Sequence, residues 1–220
     1  DDYRSVMPLV FSNKLFYKKI YNHTLIKQLG VFSTMPLKGD KIKIFQEAIP
    51  KEFKKVNICF NQQNTQAIRE PHFNRRTGYD IDLITQYEKI ARSYSMKVKK
   101  ALEFSRKIRL AVMKNITIFE LDLLLHERPV REPEDRIITP LLRILTKLIG
   151  LSKAEITGIY GPENRLYSIA CFISSSRNVT LLYAKTLPVG VANNANYMII
   201  DNFLSTYCGR NVTLRLEHID

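Results

Sequence analysis

The chain has 220 residues, of which 45% are apolar and 25% are charged, and its 34 Lys and Arg against 21 Asp and Glu give a net charge of +13. This length can bury a sizeable core without disulfides or metals, and the count of only eight glycines excludes collagen-like chains. The charged fraction and the 11 Phe and 11 Tyr argue against a disordered chain. No apolar stretch reaches the roughly 20 residues that span a bilayer, and the basic excess favours anionic partners.

A polar connector divides the predicted elements into two groups. Before it, alternation of apolar and polar residues predicts a strand over about 55–60. The connector, residues 64–78, carries a proline, paired arginines and a glycine, and we place a domain boundary in it after residue 76. Behind it we predict a short strand over 79–83. Apolar residues at steps of three and four then predict one helix over 85–110.

The rest of the chain changes from helical periodicity to strand-like runs. Three apolar runs separated by turn-forming residues predict an antiparallel meander whose middle strand is apolar on both faces. In chain order the predicted elements are helices over 117–126 and 137–150, strands over 154–161, 166–174 and 179–186, a loop over 187–194, a helix over 195–208 and a strand over 212–216.

The positive charge is concentrated in two segments. Residues 1–60 carry 11 Lys and Arg against 5 Asp and Glu, and residues 91–110 carry seven basic residues against Glu103. The basic residues of 91–110 interleave with an apolar stripe. They could follow a tRNA backbone, an anionic lipid surface or the phosphates of CoA, or they could form an ordinary solvated helix face. No ribonucleoprotein motif, zinc spacing or helix-turn-helix signature indicates sequence-specific nucleic-acid binding.

Cysteine and histidine usage bears on the compartment and on metals. Cys59, Cys171 and Cys208 lie far apart and form no C-x-x-C pair, which favours a reducing, cytoplasmic location. We expect Cys171 and Cys208 to be small buried hydrophobes. The sequence shows no signal peptide, and its four histidines lack the spacing of metal ligands, so we expect no metal cofactor.

The loop over 187–194 carries the clearest chemical signal. It contains Gly190 and leads into the predicted helix over 195–208. The first turn of a helix presents free backbone N–H groups and the positive end of the helix dipole, and this arrangement binds phosphate. Alone, a loop with one glycine is more often an ordinary turn. The meander in front of it adds weight to the phosphate interpretation.

The order strand, loop, helix, strand after a meander resembles the GNAT acyltransferase fold, in particular the GNAT-like proteins related to the Fem peptidyltransferases. In the second half of the chain the resemblance is carried by residues 165–170, 178–184, 195–201 and 214–217. Further upstream it is carried by residues 77–83, 87–88, 94–95, 28–32 and 56–61.

This resemblance implies an α+β fold, a mixed sheet with flanking helices, of the GNAT-like acyl-CoA N-acyltransferase type. It implies that residues 1–76 form a partial N-terminal GNAT-like unit and that residues 77–220 form a GNAT-like domain. The family continues with a further helix and a strand pair, so we expect this domain to lack the family's C-terminal strands.

The resemblance also implies where a cofactor binds. The family's phosphate loop reads Q/R-x-x-G-x-G/A, and the aligned run here is Leu187-Pro188-Val189-Gly190-Val191-Ala192. Gly190 and Ala192 match the pattern, whereas Leu187 departs from it. The cofactor-binding residues implied by the resemblance, with acyl-CoA (acetyl-CoA) as co-substrate, are Lys185, Val189, Gly190, Val191, Ala192, Asn193 and Asn194.

The implied mechanism is N-acyl transfer in a groove where the strand before the loop diverges from the next strand. A backbone N–H in that groove would polarise the acyl carbonyl, and a general base would take a proton from the attacking amine. Glu217 and His218, just past the last predicted strand, are the candidate catalytic residues. Alternatively, both are ordinary exposed residues at the end of a strand.

Three functions follow from the sequence and the resemblance. The first is an N-acyltransferase that moves an acyl group from acyl-CoA to an amine of a small molecule or peptide. The second is an aminoacyl-tRNA-dependent, Fem-like transferase that uses residues 91–110. The third is a non-catalytic GNAT-fold protein that binds through its basic surface.

Overall fold

The structure, a computed structural model, describes residues 3–14, 17–26, 28–67, 77–127 and 132–217. By contacts the chain divides into two compact units, residues 1–76 and 77–220. The assignment of the first unit as GNAT-like stays a prediction.

The described residues of the first unit form two small sheets and two helices. In chain order its elements are β1 (Ser5–Val6), β2 (Phe11–Lys14), β3 (Tyr17–Ile20), β4 (Phe32–Ser33), α1 (Gly39–Glu47), β5 (Phe53–Val56) and α2 (Gln62–Ala67). Strand β3 pairs antiparallel with β2 and parallel with β5, and β1 pairs with β4. The strand predicted over 55–60 is displaced, because residues 53–56 pair with β3 whereas Phe60 forms a separate bridge with Leu29.

A buried asparagine of α2 bonds this helix to the backbone just before β4. Asn64 of α2 is fully buried, and its side chain accepts a hydrogen bond from Val31 N (2.7 Å) and donates one to Val31 O (2.9 Å). Gly30 precedes this contact with a φ of 102°, and a Cβ there would lie 2.2 Å from Asn64 Oδ1. The close approach of chain and asparagine therefore requires glycine at position 30.

The second unit is built on a six-stranded mixed sheet. In chain order its elements are β6 (Gly78–Asp82), α3 (Tyr87–Ser93), α4 (Met96–Lys107), β7 (Ala111–Lys114), α5 (Ile118–His126), α6 (Glu132–Gly150), β8 (Ala154–Tyr160), β9 (Leu166–Ser175), β10 (Asn178–Thr186), α7 (Pro188–Ala192), α8 (Ala195–Tyr207) and β11 (Thr213–Glu217). The strand order is β6-β11-β10-β9-β8-β7. The β10–β11 pair is parallel and the other neighbours are antiparallel, so the predicted meander is confirmed.

The predicted helices differ from the observed ones in two places. The helix predicted over 85–110 is broken into α3 and α4, because Tyr94 and Ser95 are extended and the Ser95 hydroxyl caps α4 by accepting a hydrogen bond from Val98 N. A serine N-cap of this kind starts a new helix. Helix α6 begins at Glu132, ahead of the predicted residue 137. The two predicted strands over 79–83 and 212–216 are each shifted by one residue.

One core lies between α8 and the sheet. Phe172 of β9, Phe203 and Tyr207 stack in series, with ring centroids 4.2 and 4.4 Å apart. Helices α5 and α6 contact each other and α6 packs on β8, with Leu121, Leu125 and Leu141 at most 1% exposed. Cys171 is buried as predicted, and burial raises the pKa of its thiol to about 12, whereas Cys208 is only half-buried.

Candidate functional site

Strand β10 diverges from its parallel neighbour β11 at the middle of the sheet. The two strands pair from Asn178 opposite Thr213 to Thr180 opposite Arg215, and β10 continues on β9 as far as Thr186. A bulge between Leu181 and Tyr183 coincides with this divergence. Within the described residues, no strand pairs with the β11 side of β10 beyond Thr180.

The segment predicted as a phosphate loop is mostly helical. Residues 188–192 form α7, with Pro188 at its first turn, and Asn193 and Asn194 connect it to α8. The amides of Val191, Asn193 and Asn194 donate to carbonyls of residues 187, 189 and 191 at 2.9, 3.1 and 3.1 Å. These three N–H groups therefore satisfy the local backbone, which reduces what the segment offers to a ligand.

Gly190 is a packing residue of this segment. It is buried, and a Cβ added there would lie 2.5 Å from Tyr167 O and 2.8 Å from Thr186 Cγ2. Tyr167 O also accepts a hydrogen bond from Leu187 N at 2.8 Å. Because the obstacle is the backbone of β9, glycine is what allows α7 to approach the sheet.

A groove of about 420 Å³ lies where α4 meets the α7–α8 junction. Asn194, at the N-cap of α8, has a left-handed backbone (φ 59°), and its side chain caps no amide. The first amides of α8 have no intrahelical acceptor. Lys97 and Lys100 line the groove from α4, and no ion pair of either is found among the described residues. The full lining is Lys97, Lys100, Ala101, Val191, Asn194, Asn196 and Tyr197.

Small residues of α4 bring its lysines to the junction. Ala101 is 7% exposed and Ser105 is fully buried. The Ser105 hydroxyl lies 2.9 Å from Ala101 O of its own helix and 3.0 Å from Asn193 O. It can therefore donate a hydrogen bond to the backbone between α7 and α8. This contact fixes the distance between the two lysines and the first turn of α8.

A buried carboxylate on α8 fixes the same interface further along. Asp201 is 9% exposed and accepts hydrogen bonds from Tyr87 (2.7 Å), Tyr94 (3.0 Å) and Arg106 (3.3 Å). Burial is the largest cause, and the Asp201 hydrogen bond the next, of a rise in the pKa of Tyr87 to about 12. Burial, followed by the negative charge of Asp201, also raises the pKa of Tyr94.

These tyrosines predict loss of stability in alkali. A tyrosine with a folded-state pKa raised from 10 to about 12 keeps its proton in the folded protein while the unfolded chain loses it. The contribution of Tyr87 to the free energy of unfolding is therefore fully present below pH 10 and is lost as the pH rises from 10 to 12. Urea unfolding followed by circular dichroism between pH 8 and 12 measures this. Tyr87→Phe should lessen the fall, and an equal fall in both proteins would contradict the assignment to Tyr87.

The comparisons with known proteins bear on the fold. No protein-family model matches the sequence, and no curated protein matches it either. Among solved structures the chain is similar to FemX, with a TM-score of 0.64 at 9% identity over 99% of this chain and 76% of FemX. It is also similar to a conserved protein of unknown function from Bacteroides thetaiotaomicron, with a TM-score of 0.54 at 9% identity over 87% and 71% of the two chains.

The chain has a GNAT-like fold of the Fem type. The predicted α+β class, a mixed sheet with flanking helices, is thereby confirmed. Within the described part of the chain, no helix is long and apolar enough to cross a membrane. The same residues hold no cluster of three or more His, Cys, Asp or Glu suited to a metal ion.

The other predicted site residues of the second unit lie in different surroundings. Lys185 of β10 donates to Leu125 O of α5 at 3.4 Å, so its ammonium is directed to α5. Val189 is partly buried against the core under α8, and Ala192 is exposed. Glu217 ends β11, two residues past the last pair with β10, and its side chain and all of His218 lie outside the described residues.

The sequence left open whether the basic residues of 91–110, among them Lys97 and Lys100, lie near the phosphate segment. Lys97 and Lys100 line the same groove as Asn194. One signal could have found them: Ala101 and Ser105 lie four residues apart on α4, and small residues at that spacing allow another element to approach a helix closely.

Proposed function

We propose that the chain is a GNAT-fold transferase that moves an aminoacyl group from an aminoacyl-tRNA to an amine of a small-molecule or peptide acceptor. The proposal is carried by the divergence of β10 from β11, together with a groove in the same unit that holds two lysines without a described ion pair. The opening between strands suits the acyl ester, and the groove suits the donor's phosphates.

The state of the α7 segment favours tRNA as the donor. A tight pyrophosphate loop needs several free amides, but those of Val191, Asn193 and Asn194 are occupied and Leu187 stands where the family has Gln or Arg. The groove is open, and its two lysines lie one helical turn apart on α4. A polyanion that spreads its phosphates along a helix fits this surface better than a compact pyrophosphate does.

Acyl-CoA is the second candidate donor. The uncapped first turn of α8, with Asn194 at its N-cap, is the observation that favours it, because such a turn attracts a single phosphate group. Either donor would use Lys97 and Lys100 in the same way.

The transfer consists of one displacement at the acyl carbon. The acceptor nitrogen attacks the ester carbonyl, a new C–N bond forms, and the C–O bond to the terminal ribose breaks. A backbone N–H on the side of β10 away from β9, beyond Thr180, would stabilise the oxyanion. In this proposal Glu217, beyond the last β10–β11 pair, takes the proton of the amine and passes it to the ribose oxygen, which leaves as a hydroxyl.

Exchanging Lys97 and Lys100 for glutamine tests the groove. We expect tRNA binding by fluorescence anisotropy to weaken by about tenfold at moderate salt, and the salt dependence to lose about one unit of slope for each phosphate contact removed. Acetyl-CoA measured by calorimetry separates the two donors, because the favoured proposal expects no heat with it.

The matched control exchanges Lys99 and Lys107, which lie on the same helix and change the charge equally. Lys99 donates to Arg92 O at 2.9 Å and Lys107 pairs with Glu103 at 2.7 Å, and neither lines the groove. An equal loss of tRNA binding in both double variants would reject the groove as the donor site. Binding without transfer of a labelled aminoacyl group to any amine would favour the non-catalytic alternative.

A further inference from the structure

The three-stranded sheet of the first unit is rich in lysine and has no acidic residue. Its strands read Phe-Ser-Asn-Lys, Tyr-Lys-Lys-Ile and Phe-Lys-Lys-Val. The order aromatic, lysine, lysine, aliphatic thus occurs in both β3 and β5, which pair in parallel. These strands account for much of the positive charge in residues 1–60, which the proposed transfer reaction does not use.

The register brings two lysines side by side. Lys19 of β3 is opposite Ser12 of β2 and opposite Lys55 of β5, so the three residues form one row across the sheet. Like charges directly opposite each other destabilise a sheet. No ion pair of Lys19 or Lys55 is found among the described residues, whereas Lys18, next to Lys19, pairs with Glu52 at 2.8 Å. The row is therefore suited to an anion.

Tyrosines flank this row on the same face. Tyr17 and Tyr21 lie two residues before and after Lys19, and side chains alternate along a strand. Tyr17 is 43% exposed, and Lys19 Nζ lies 5.4 Å from the centroid of the Tyr21 ring. We call these five residues, Ser12, Tyr17, Lys19, Tyr21 and Lys55, the lysine–tyrosine face.

The apolar residues of the sheet mark the opposite face. Phe11, Ile20 and Val56 form the next row, and Ile20 is 1% exposed. The Phe11 and Phe53 rings meet edge to face at 5.9 Å, and a bulge in the β3–β5 pairing places Phe53 and Lys55 on opposite faces. The exposed apolar side chains that a membrane would need, Phe11 and Val56, therefore do not lie on the lysine–tyrosine face.

We propose that the lysine–tyrosine face binds single-stranded nucleic acid, with Lys19 and Lys55 on phosphates and Tyr17 stacked on a base. Lysines that follow a backbone and exposed aromatic rings that stack on bases are how proteins bind single strands without sequence preference. The whole surface lies in the first unit, so this inference is independent of the proposed transfer reaction.

The test measures binding of a fluorescein-labelled 12-nucleotide oligouridylate to the full chain by anisotropy at several salt concentrations. Exchanging Lys19 and Lys55 for glutamine should weaken binding about tenfold and lower the salt slope by about 1.4, or 0.7 for each phosphate on a single strand. Tyr17→Ala should weaken binding at least fivefold, and Tyr17→Phe, which keeps the ring, should restore it. If the lysine variant does not fold, comparison of the Tyr17→Ala and Tyr17→Phe variants still tests the proposal.

The matched control exchanges Lys41 and Lys43 of α1, which are exposed, lie in the same unit and change the charge equally. It should bind within twofold of the unchanged chain. An equal loss of oligonucleotide binding in the control would overturn this proposal. A loss of binding confined to the Lys97 and Lys100 variant would overturn it too, but would support the donor groove. The proposal would also be overturned if the Lys19 and Lys55 variant lost binding to phosphatidylglycerol vesicles but kept binding to the oligonucleotide.

Discussion

Replacing Gly190 with alanine is expected to lower the free energy of unfolding by about 2–3 kcal/mol. The new methyl group would meet the backbone oxygen of Tyr167 at 2.5 Å, and β9 at that point lies inside the sheet and cannot move aside cheaply. Displacing α7 instead would weaken the Leu187 N to Tyr167 O hydrogen bond. Urea denaturation followed by circular dichroism measures the change.

The matched control for Gly190 is Gly150. It ends α6, and no heavy atom lies within 4 Å of a Cβ built there, so alanine should be neutral or slightly stabilising. If Gly190→Ala kept full stability and lost only donor binding, position 190 would contact the ligand and the packing explanation would be wrong. A loss of stability with donor binding retained below the unfolding transition would support it.

Replacing Asp201 with alanine is expected to destabilise the protein by about 3 kcal/mol. The Tyr87 and Tyr94 hydroxyls and the Arg106 guanidinium would each lose the carboxylate to which they donate a hydrogen bond. Unpaired polar groups at a half-buried interface cost most of their desolvation free energy. The Arg106 side chain is 64% exposed, which limits its share of the loss because water replaces the carboxylate there.

Asp122 supplies the comparison for Asp201. It lies on α5, is 43% exposed and pairs with His126 at 3.1 Å, so Asp122→Ala should cost less than about 0.5 kcal/mol. A double-mutant cycle of Asp201→Ala with Tyr87→Phe should give a coupling free energy of about 1 kcal/mol. Additive effects, or equal losses at Asp201 and Asp122, would show that the buried cluster is not a stabilising unit.

The interface held by Asp201 also links stability to the groove. Helix α4 carries Arg106, which binds Asp201, and Lys97 and Lys100, which line the groove. Ser105, between them, hydrogen-bonds to the α7–α8 connection. The donor lysines are thus positioned by contacts that also stabilise the domain. Their variants should therefore be compared at temperatures well below the unfolding transition.

Local patterns predicted the elements whose neighbours follow each other in the chain. The meander over 154–186 was predictable because each strand pairs with the next through a short turn, so period-two alternation and turn residues suffice. Helix α8 was predictable from its apolar stripe and from the glycine at residue 209 that follows it. The break between α3 and α4 was missed because the apolar spacing continues across Ser95.

The sequence by itself determined the α+β class, the two segments that carry the charge, and the order of most elements in the second unit. It did not predict β7, α7 or the break between α3 and α4. Only the tertiary structure decided which charges act together. Lys97 and Asn194 line one groove, and Lys19 and Lys55 lie opposite each other in paired strands, although the members of each pair are tens of residues apart in the sequence. It also decided that Gly190 packs on β9, because the obstacle there is a backbone oxygen from another strand. Local propensity carries no information on such contacts, since they depend on how whole elements pack.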